Sequence, residues 1–460
     1  MIGRGIARRV ETFLVAHRAR LKWVHLTFFV AFLAIILGPL ALPDPPEHAT
    51  PLDNLTEFAS YVLWGLWFPL VFLSVLVTGR SWCGLMCPMG AASELANRHG
   101  LRRPIPRWVR WEWLPVVSFV VITVLGQTVG VRDHPEAAAQ VFGGTMLLAI
   151  AFGLIWGRLH RRAWCRHACP IGLLLGIFSR LGAVQLAPKV KKPGGDRYTE
   201  RGLCPTMIDI SRKEESRHCI ECFRCVEPRA KGGLEVRLRM PGEEVEAIRG
   251  HRANPVEVWF LFIGTGIALG GFLWLVLPLY QELRQAFGIW AIEHEWYWVG
   301  EPGPWWLMSV HPDRREVFLW LDFSMITAFM TAFAAMFAAA LAATTAAGAW
   351  LAGRAGGDRD FRTRFVELGY QYAPVAMISL VIGLGGELFD GLDHLGLGAH
   401  ASADAKAVLF VAALAWSLWL GNAILRGQGL PPQARVLPLA PGLLGSLAVG
   451  GCWWIAIFGL

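Results

Sequence analysis

Long apolar runs separated by short polar connectors dominate this chain, and only one connector is large enough to form a unit of its own. Runs at about 24–43, 59–78, 113–130, 141–157, 256–280, 318–346, 368–386, 406–425 and 437–459 come close to the ~20 residues with which a helix crosses some 30 Å of hydrocarbon. They predict an all-α polytopic membrane protein with about nine transmembrane helices. The first run follows Arg4, Arg8, Arg9, Arg18, Arg20 and Lys22 without a small-residue cleavage site, so it reads as an uncleaved anchor. The hydrophilic segment, 181–255, is punctuated by Pro188, Pro193, Gly194, Gly195, Pro205, Pro228, Gly232, Gly233, Pro241 and Gly242. Such breakers rule against a long helix and predict a small loop-rich domain with a short strand near 234–239. The expected organisation is two successive hairpins in 1–180, the hydrophilic domain in 181–255 and a five-helix transmembrane domain in 256–460.

Charge gives this arrangement an orientation. The connector 44–58 has no Lys or Arg and carries Asp44, Glu47, Asp53 and Glu57, whereas 79–111 holds Arg80, Arg98, Arg102, Arg103, Arg107 and Arg110. Residues 158–252 contain 20 of the 43 basic residues. Positive connectors stay inside, so the N-terminus and the hydrophilic domain are expected in the cytoplasm, and an odd number of spans puts the C-terminus outside. The net charge of +8 is then chiefly a topology signal directed at membrane lipid. No nucleic-acid reader motif accompanies it. Composition agrees: 54% hydrophobic and 17% charged residues, with mean hydropathy +0.43, exclude an ordinary soluble domain of 460 residues.

The chemistry-bearing residues sit on the basic side. Arg80, Ser81, Trp82, Cys83, Gly84, Leu85, Met86, Cys87, Pro88, Met89, Gly90 and Arg162, Ala163, Trp164, Cys165, Arg166, His167, Ala168, Cys169, Pro170, Ile171, Gly172 share the skeleton R-x-W-C-x-x-x-C-P-x-G, each copy following a hairpin. A third group, Cys219, Cys222 and Cys225 with Cys204 upstream, has ferredoxin-like C-x-x-C-x-x-C spacing. Eight thiols on the reducing side suit metal or redox chemistry better than disulfides. Two [4Fe-4S] clusters would use all eight, most simply Cys83, Cys87, Cys165 and Cys169 for one and Cys204, Cys219, Cys222 and Cys225 for the other. In two-cluster ferredoxins the Cys-Pro cysteine serves the other cluster, which leaves this partition open. Zinc competes, although C-x-x-C-x-x-C is tighter than paired zinc knuckles. Arg80, Arg162, Arg166, His167, Arg217, His218 and Arg224 flank the sulfurs and can balance cluster charge. Cys452 lies apart in the last span and reads as a small buried hydrophobe.

Other features carry less. The external connector 281–317 is crowded with Trp290, Trp296, Tyr297, Trp298, Trp305 and Trp306, an interfacial belt, with Glu293, His294 and His311 as a thin candidate metal site. Asp322 and Glu387 lie near span ends, at the water interface or on a proton or quinone path. Gly264, Gly266, Gly270 and Gly271 fall inside a span and read as close-packing residues, not a dinucleotide fingerprint. Paired mid-span histidines for haem, a C-x-x-C-H sequence, a P-loop and G-x-S-x-G are all absent from the sequence.

The repeated R-x-W-C-x-x-x-C-P-x-G, followed by a cysteine-rich loop, resembles the membrane ferredoxin-type 4Fe-4S quinol dehydrogenase family of the NapH and NosR type, related to a copper-reducing oxidase assembly protein, over about residues 20–230. The resemblance implies a bacterial inner-membrane oxidoreductase of the respiratory chain. Such a protein exchanges electrons between the quinone pool and other redox subunits or a periplasmic electron carrier. Two departures stand out. Cys225 is followed by Val226, Glu227 and Pro228 where members carry a fourth cysteine, and the helices after residue 255 have no counterpart by motif. The runner-up function is a metal-reducing or assembly factor for a respiratory metalloenzyme, and a scaffold with structural clusters is a third.

Overall fold

The computed structural model describes residues 2–43, 45, 46, 48–157, 161–190, 197–394 and 400–458. Asp44, Glu47 and the breakers Pro193, Gly194 and Gly195 lie outside them. Among the described residues, eight helices are long and apolar enough to cross a membrane: Leu21–Ala41, Leu55–Thr78, Pro135–Trp156, Pro255–Val276, Trp320–Arg354, Phe361–Leu384, Ala401–Gly427 and Pro432–Ile455. The protein is an all-α polytopic membrane protein. The ninth expected span is also helical, but Leu114–Thr128 has only 15 residues, about 22 Å of rise. It is followed by Gly130 in the left-handed region at φ +66°, a conformation that ends helices.

Inside the second span, Tyr61–Trp67 adopts seven residues of π-helix, a rare geometry concentrated at functional sites. One expectation is corrected on the other side of Pro278. The connector from 281 onward was expected to be a loop, yet Pro278–Glu293 is a 16-residue helix. Pro278 occupies its first turn, where the fixed φ starts a helix and the lost N–H has no partner to forgo.

The chain divides into two compact units. One comprises Met1–Ala34, Leu70–Ser118 and Gly144–Glu257, the other Ile35–Pro69, Phe119–Gly143 and Val258–Leu460. All eight motif cysteines belong to the first. Its hydrophilic segment holds a two-stranded antiparallel sheet, β1 (Val184–Pro188) against β2 (Leu234–Leu238), with Leu186 opposite Val236. These two side chains enter a small core with Ile210, Phe223, Val226 and the sulfurs of Cys204, Cys219 and Cys225. The helix Ile2–Ala16 closes this core with Ala7, Leu14 and Val15. Its Glu11 accepts the Val236 amide at 2.5 Å. A core this small cannot stabilise so many breakers alone, which is the usual situation of a domain that folds around metal.

Candidate metal centre

Both cysteine motifs fold into the same device. A five-residue helix, Ser81–Leu85 or Ala163–His167, carries the first cysteine. The chain then leaves helical geometry at Met86 (φ −127°, ψ −25°) and Ala168 (φ −127°, ψ −22°). The second cysteine becomes the N-cap of a new helix, Cys87 at φ −61°, ψ 118° and Cys169 at φ −66°, ψ 118°. Pro88 and Pro170 open those helices, Pro88–Asn97 and Pro170–Phe178. The amides of Cys87 and Cys169 donate to the tryptophan carbonyls of their own motifs, Trp82 at 2.9 Å and Trp164 at 3.0 Å. Gly172 N–H donates to Cys169 Sγ at 3.2 Å, and the Gly90 amide is directed at Cys87 in the same way. Helix N-termini favour anionic sulfur.

The copies also exchange side chains. Arg162 of the second motif donates from Nη1 to the Cys83 carbonyl of the first at 2.8 Å. A Cβ on Gly90 would lie 2.8 Å from that Nη1. Reciprocally, a Cβ on Gly172 would lie 3.4 Å from Arg80 Nη2. The arginine opening each skeleton thus passes over the glycine closing the other, and both positions follow from one arrangement. It gathers the four sulfurs. Burial, then the neighbouring Cys83 and Cys165, push the Cys87 thiol up to about 12. Burial followed by Cys165, Cys87 and Cys83 raises Cys169 well above its usual value.

Cys204, Cys219, Cys222 and Cys225 line a second, separate cavity with Thr206, Lys213 and Phe223. Glu221 and Phe223, on either side of Cys222, take left-handed φ values of +49° and +57°. Such non-glycine residues cost about 1–3 kcal/mol each and persist where the surroundings over-determine them. Turns of this kind point successive N–H groups into a concavity, a common Fe–S and anion cradle. Thr206 Oγ1 lies 3.3 Å from Cys204 Sγ. Burial, opposed by Lys213, raises Cys219 to about 12. Iron loading at either site has to displace thiol protons.

The two sulfur sites adjoin. A Cβ on Gly84 would fall 2.2 Å from the Ile220 carbonyl and 2.8 Å from Cys222 N, so the first motif's helix lies directly on the loop of the second site. Arg162 N donates to Pro205 O at 2.8 Å, and Arg80 Nη1 donates to Arg217 O. The residue aligned with Gly84 in the other copy is Arg166, and it is here that the duplicated motifs diverge in size. A neighbouring ionic knot holds the chain entering Cys219. Arg180, fully buried, donates to Glu257 at 2.8 Å, Glu244 at 2.9 Å and Glu215 at 3.2 Å. Glu244 in turn accepts Ser216 N at 3.0 Å. Burial opposes ionisation of Glu244, but Arg180 and Arg239 prevail and draw it down to about 2. Leaving such a buried charge unpaired costs about 3–5 kcal/mol.

The donor set fits iron–sulfur clusters. Arg80 Nε, Arg166 Nη1, Arg224 Nη1 and Trp164 Nε1 are buried beside the sulfurs with no hydrogen-bond acceptor, which suits a net-anionic group. Burial and then Arg217 lower Arg166 to about 10, and burial followed by Arg166 lowers His167 to about 4, so the cations beside the sulfurs repel one another. Among the described residues, no three His, Cys, Asp or Glu side chains converge closely enough for a single metal ion.

The remaining candidates fall elsewhere. His294 Nδ1 bonds to its own helix at Trp290 O, 2.8 Å away, while His311 stacks on His134 with ring centroids 4.0 Å apart. Asp322 accepts from Arg284 at 2.6 Å and from Leu319 N at 2.9 Å, an ion pair and helix cap. Glu387 lines a cavity of about 560 Å³ in the second unit with Glu57, Trp64, Arg132, Asp133 and His134, beside the π-helix. Burial raises Glu387, against the pull of Arg132. Cys452 is in the helix Pro432–Phe458 and has no disulfide. Glu94, Gly84, Arg180 and Glu244 were not singled out from sequence. Only the Gly84/Arg166 mismatch between the copies signalled any of them.

Fold and site together define a polytopic membrane protein with paired, adjacent tetracysteine sites. A 4Fe-4S binding domain matches residues 62–107 and 141–188, each segment containing one C-x-x-x-C-P motif. The uncharacterized protein MJ0749 of Methanocaldococcus jannaschii is 30% identical over 178 residues, covering 36% of this chain and 67% of that protein. The ferredoxin-type protein NapH of Escherichia coli is 26% identical over 178 residues, 34% of this chain and 62% of NapH. The regulatory protein NosR of Stutzerimonas stutzeri is 27% identical over 237 residues, 44% of this chain and 32% of NosR. No solved structure matches the chain. The chain belongs to the membrane ferredoxin-type 4Fe-4S family of NapH and NosR. Iron–sulfur electron transfer is the class of chemistry that membership carries.

Proposed function

We propose that the chain passes electrons between the quinone pool and a partner redox protein as a subunit of a respiratory complex in the bacterial inner membrane. In this reading Cys83, Cys87, Cys165 and Cys169 hold one [4Fe-4S] cluster, and Cys204, Cys219, Cys222 and Cys225 hold the other, both on the cytoplasmic side. The bound clusters supply one-electron redox chemistry. The observation that carries the reading is the seating of Gly84 against Ile220 and Cys222, since adjoining sites permit electron exchange within one chain. Unpaired buried donors from Arg80, Arg166 and Arg224 stabilise the added negative charge of reduction. Quinol as donor rests on the family, and a periplasmic electron carrier is one candidate for the far end of the circuit. The test is reduction of anaerobic protein by a short-chain quinol and, separately, by dithionite, with both expected to reduce the clusters. No quinol-dependent reduction of protein that dithionite does reduce would overturn the quinol assignment.

A further inference from the structure

Glu94 lies on the helix Pro88–Asn97 that follows the first cysteine motif, and nothing in the shared skeleton calls for it. Its two carboxylate oxygens serve two different arginines. Oε2 accepts from Arg162 Nε at 2.9 Å and Nη2 at 2.6 Å, while Oε1 accepts from Arg224 Nη2. Arg162 reaches the first sulfur site through the Cys83 carbonyl, and Arg224 sits within the second, between Cys222 and Cys225. A single carboxylate therefore joins the cations of both sites.

We infer that the Arg162–Glu94–Arg224 triad is a positioning and charge-setting bridge that fixes the reduction potentials of the two clusters jointly. The inference rests on the proposed cluster sites. Charge bookkeeping gives the sign. The triad carries one net positive charge, and each cluster becomes more negative when reduced, so added positive charge favours reduction. Arg162 is fully buried, so its field reaches the sulfurs with little screening. Arg162 is held between the Glu94 carboxylate on one side and the Cys83 carbonyl on the other. Burial opposes ionisation of Glu94, but Arg162 and Arg224 draw it down to about 2, so it remains an anion throughout the physiological range.

The test is a redox titration of the full-length anaerobic protein followed by electron paramagnetic resonance. Glu94→Gln removes the counter-charge while keeping the shape, and both midpoint potentials are expected to rise. Arg224→Gln removes a mostly buried cation from the second site, and its potential is expected to fall further than that of the first. The Arg224 variant keeps the inference testable if Glu94→Gln fails to fold. A Glu94→Gln protein in which neither potential moves, or only one, overturns the bridge, as does an Arg224→Gln protein that shifts the two equally. Unaltered protein without iron–sulfur signals would instead sink the proposed function itself.

Discussion

Cys83→Ser protein, purified without oxygen, is expected to hold about four irons in place of about eight and to lose one of two sets of reduced-cluster resonances. Cys83 is buried among the thiols of Cys87, Cys165 and Cys169, and serine offers a harder, poorly ionised oxygen in its place. The other four cysteines keep their own cavity and core, with Leu186, Ile210 and Val236, so the second set of signals is expected to persist. Cys452→Ser is the matched control. Its thiol lies in the last helix of the second unit, outside both groups, and its removal is expected to leave iron content unchanged. Equal iron loss from the two substitutions would show that the sulfurs have been grouped wrongly.

Gly84→Val is expected to separate the two sites while sparing the ligands. The new Cβ would meet the Ile220 carbonyl at 2.2 Å and Cys222 N at 2.8 Å, both backbone atoms of the ligand loop that cannot swing aside like a side chain. Overpacking ordinarily costs about 1–3 kcal/mol, and here the strain falls on a loop already wound through left-handed Glu221 and Phe223. The magnetic interaction between the reduced clusters should weaken or the second cluster should be lost, with the first retained. Gly143→Ala, where a Cβ meets nothing within 4 Å, is expected to leave the spectrum as it was. An unchanged interaction in Gly84→Val protein would mean that the sites do not communicate through this contact.

Much of this architecture was legible in the sequence, for reasons of length and spacing. Apolar runs near 20 residues mark spans because lipid offers the backbone no partners, and among the described residues each of the nine expected runs contains a helix. The short helix Leu114–Thr128 shows the limit of that argument, since the run is apolar at both ends and only the fold reveals where Gly130 turns it. The duplicated motif foretold two equivalent devices, and the backbone angles at Cys87 and Cys169 agree within a few degrees. Spacing could not disclose the crossing of Arg80 and Arg162 over Gly172 and Gly90, because each contact joins residues from different copies. Glu94 was invisible for the same reason: its partners are 68 and 130 positions away. The helix Pro278–Glu293 was obscured by aromatics that suit an interfacial belt in any conformation, and its Trp290 and Ile292 are indeed exposed.

The central claim is that eight thiols form two adjoining four-sulfur sites. It is tested most directly by iron and acid-labile sulfide quantitation on anaerobic full-length protein, joined to electron paramagnetic resonance of the fully reduced state. The expected result is about eight irons and eight sulfides per chain, with spectra split or broadened by interaction between two reduced clusters. About four irons with a single isolated signal, or stoichiometric zinc, would contradict it.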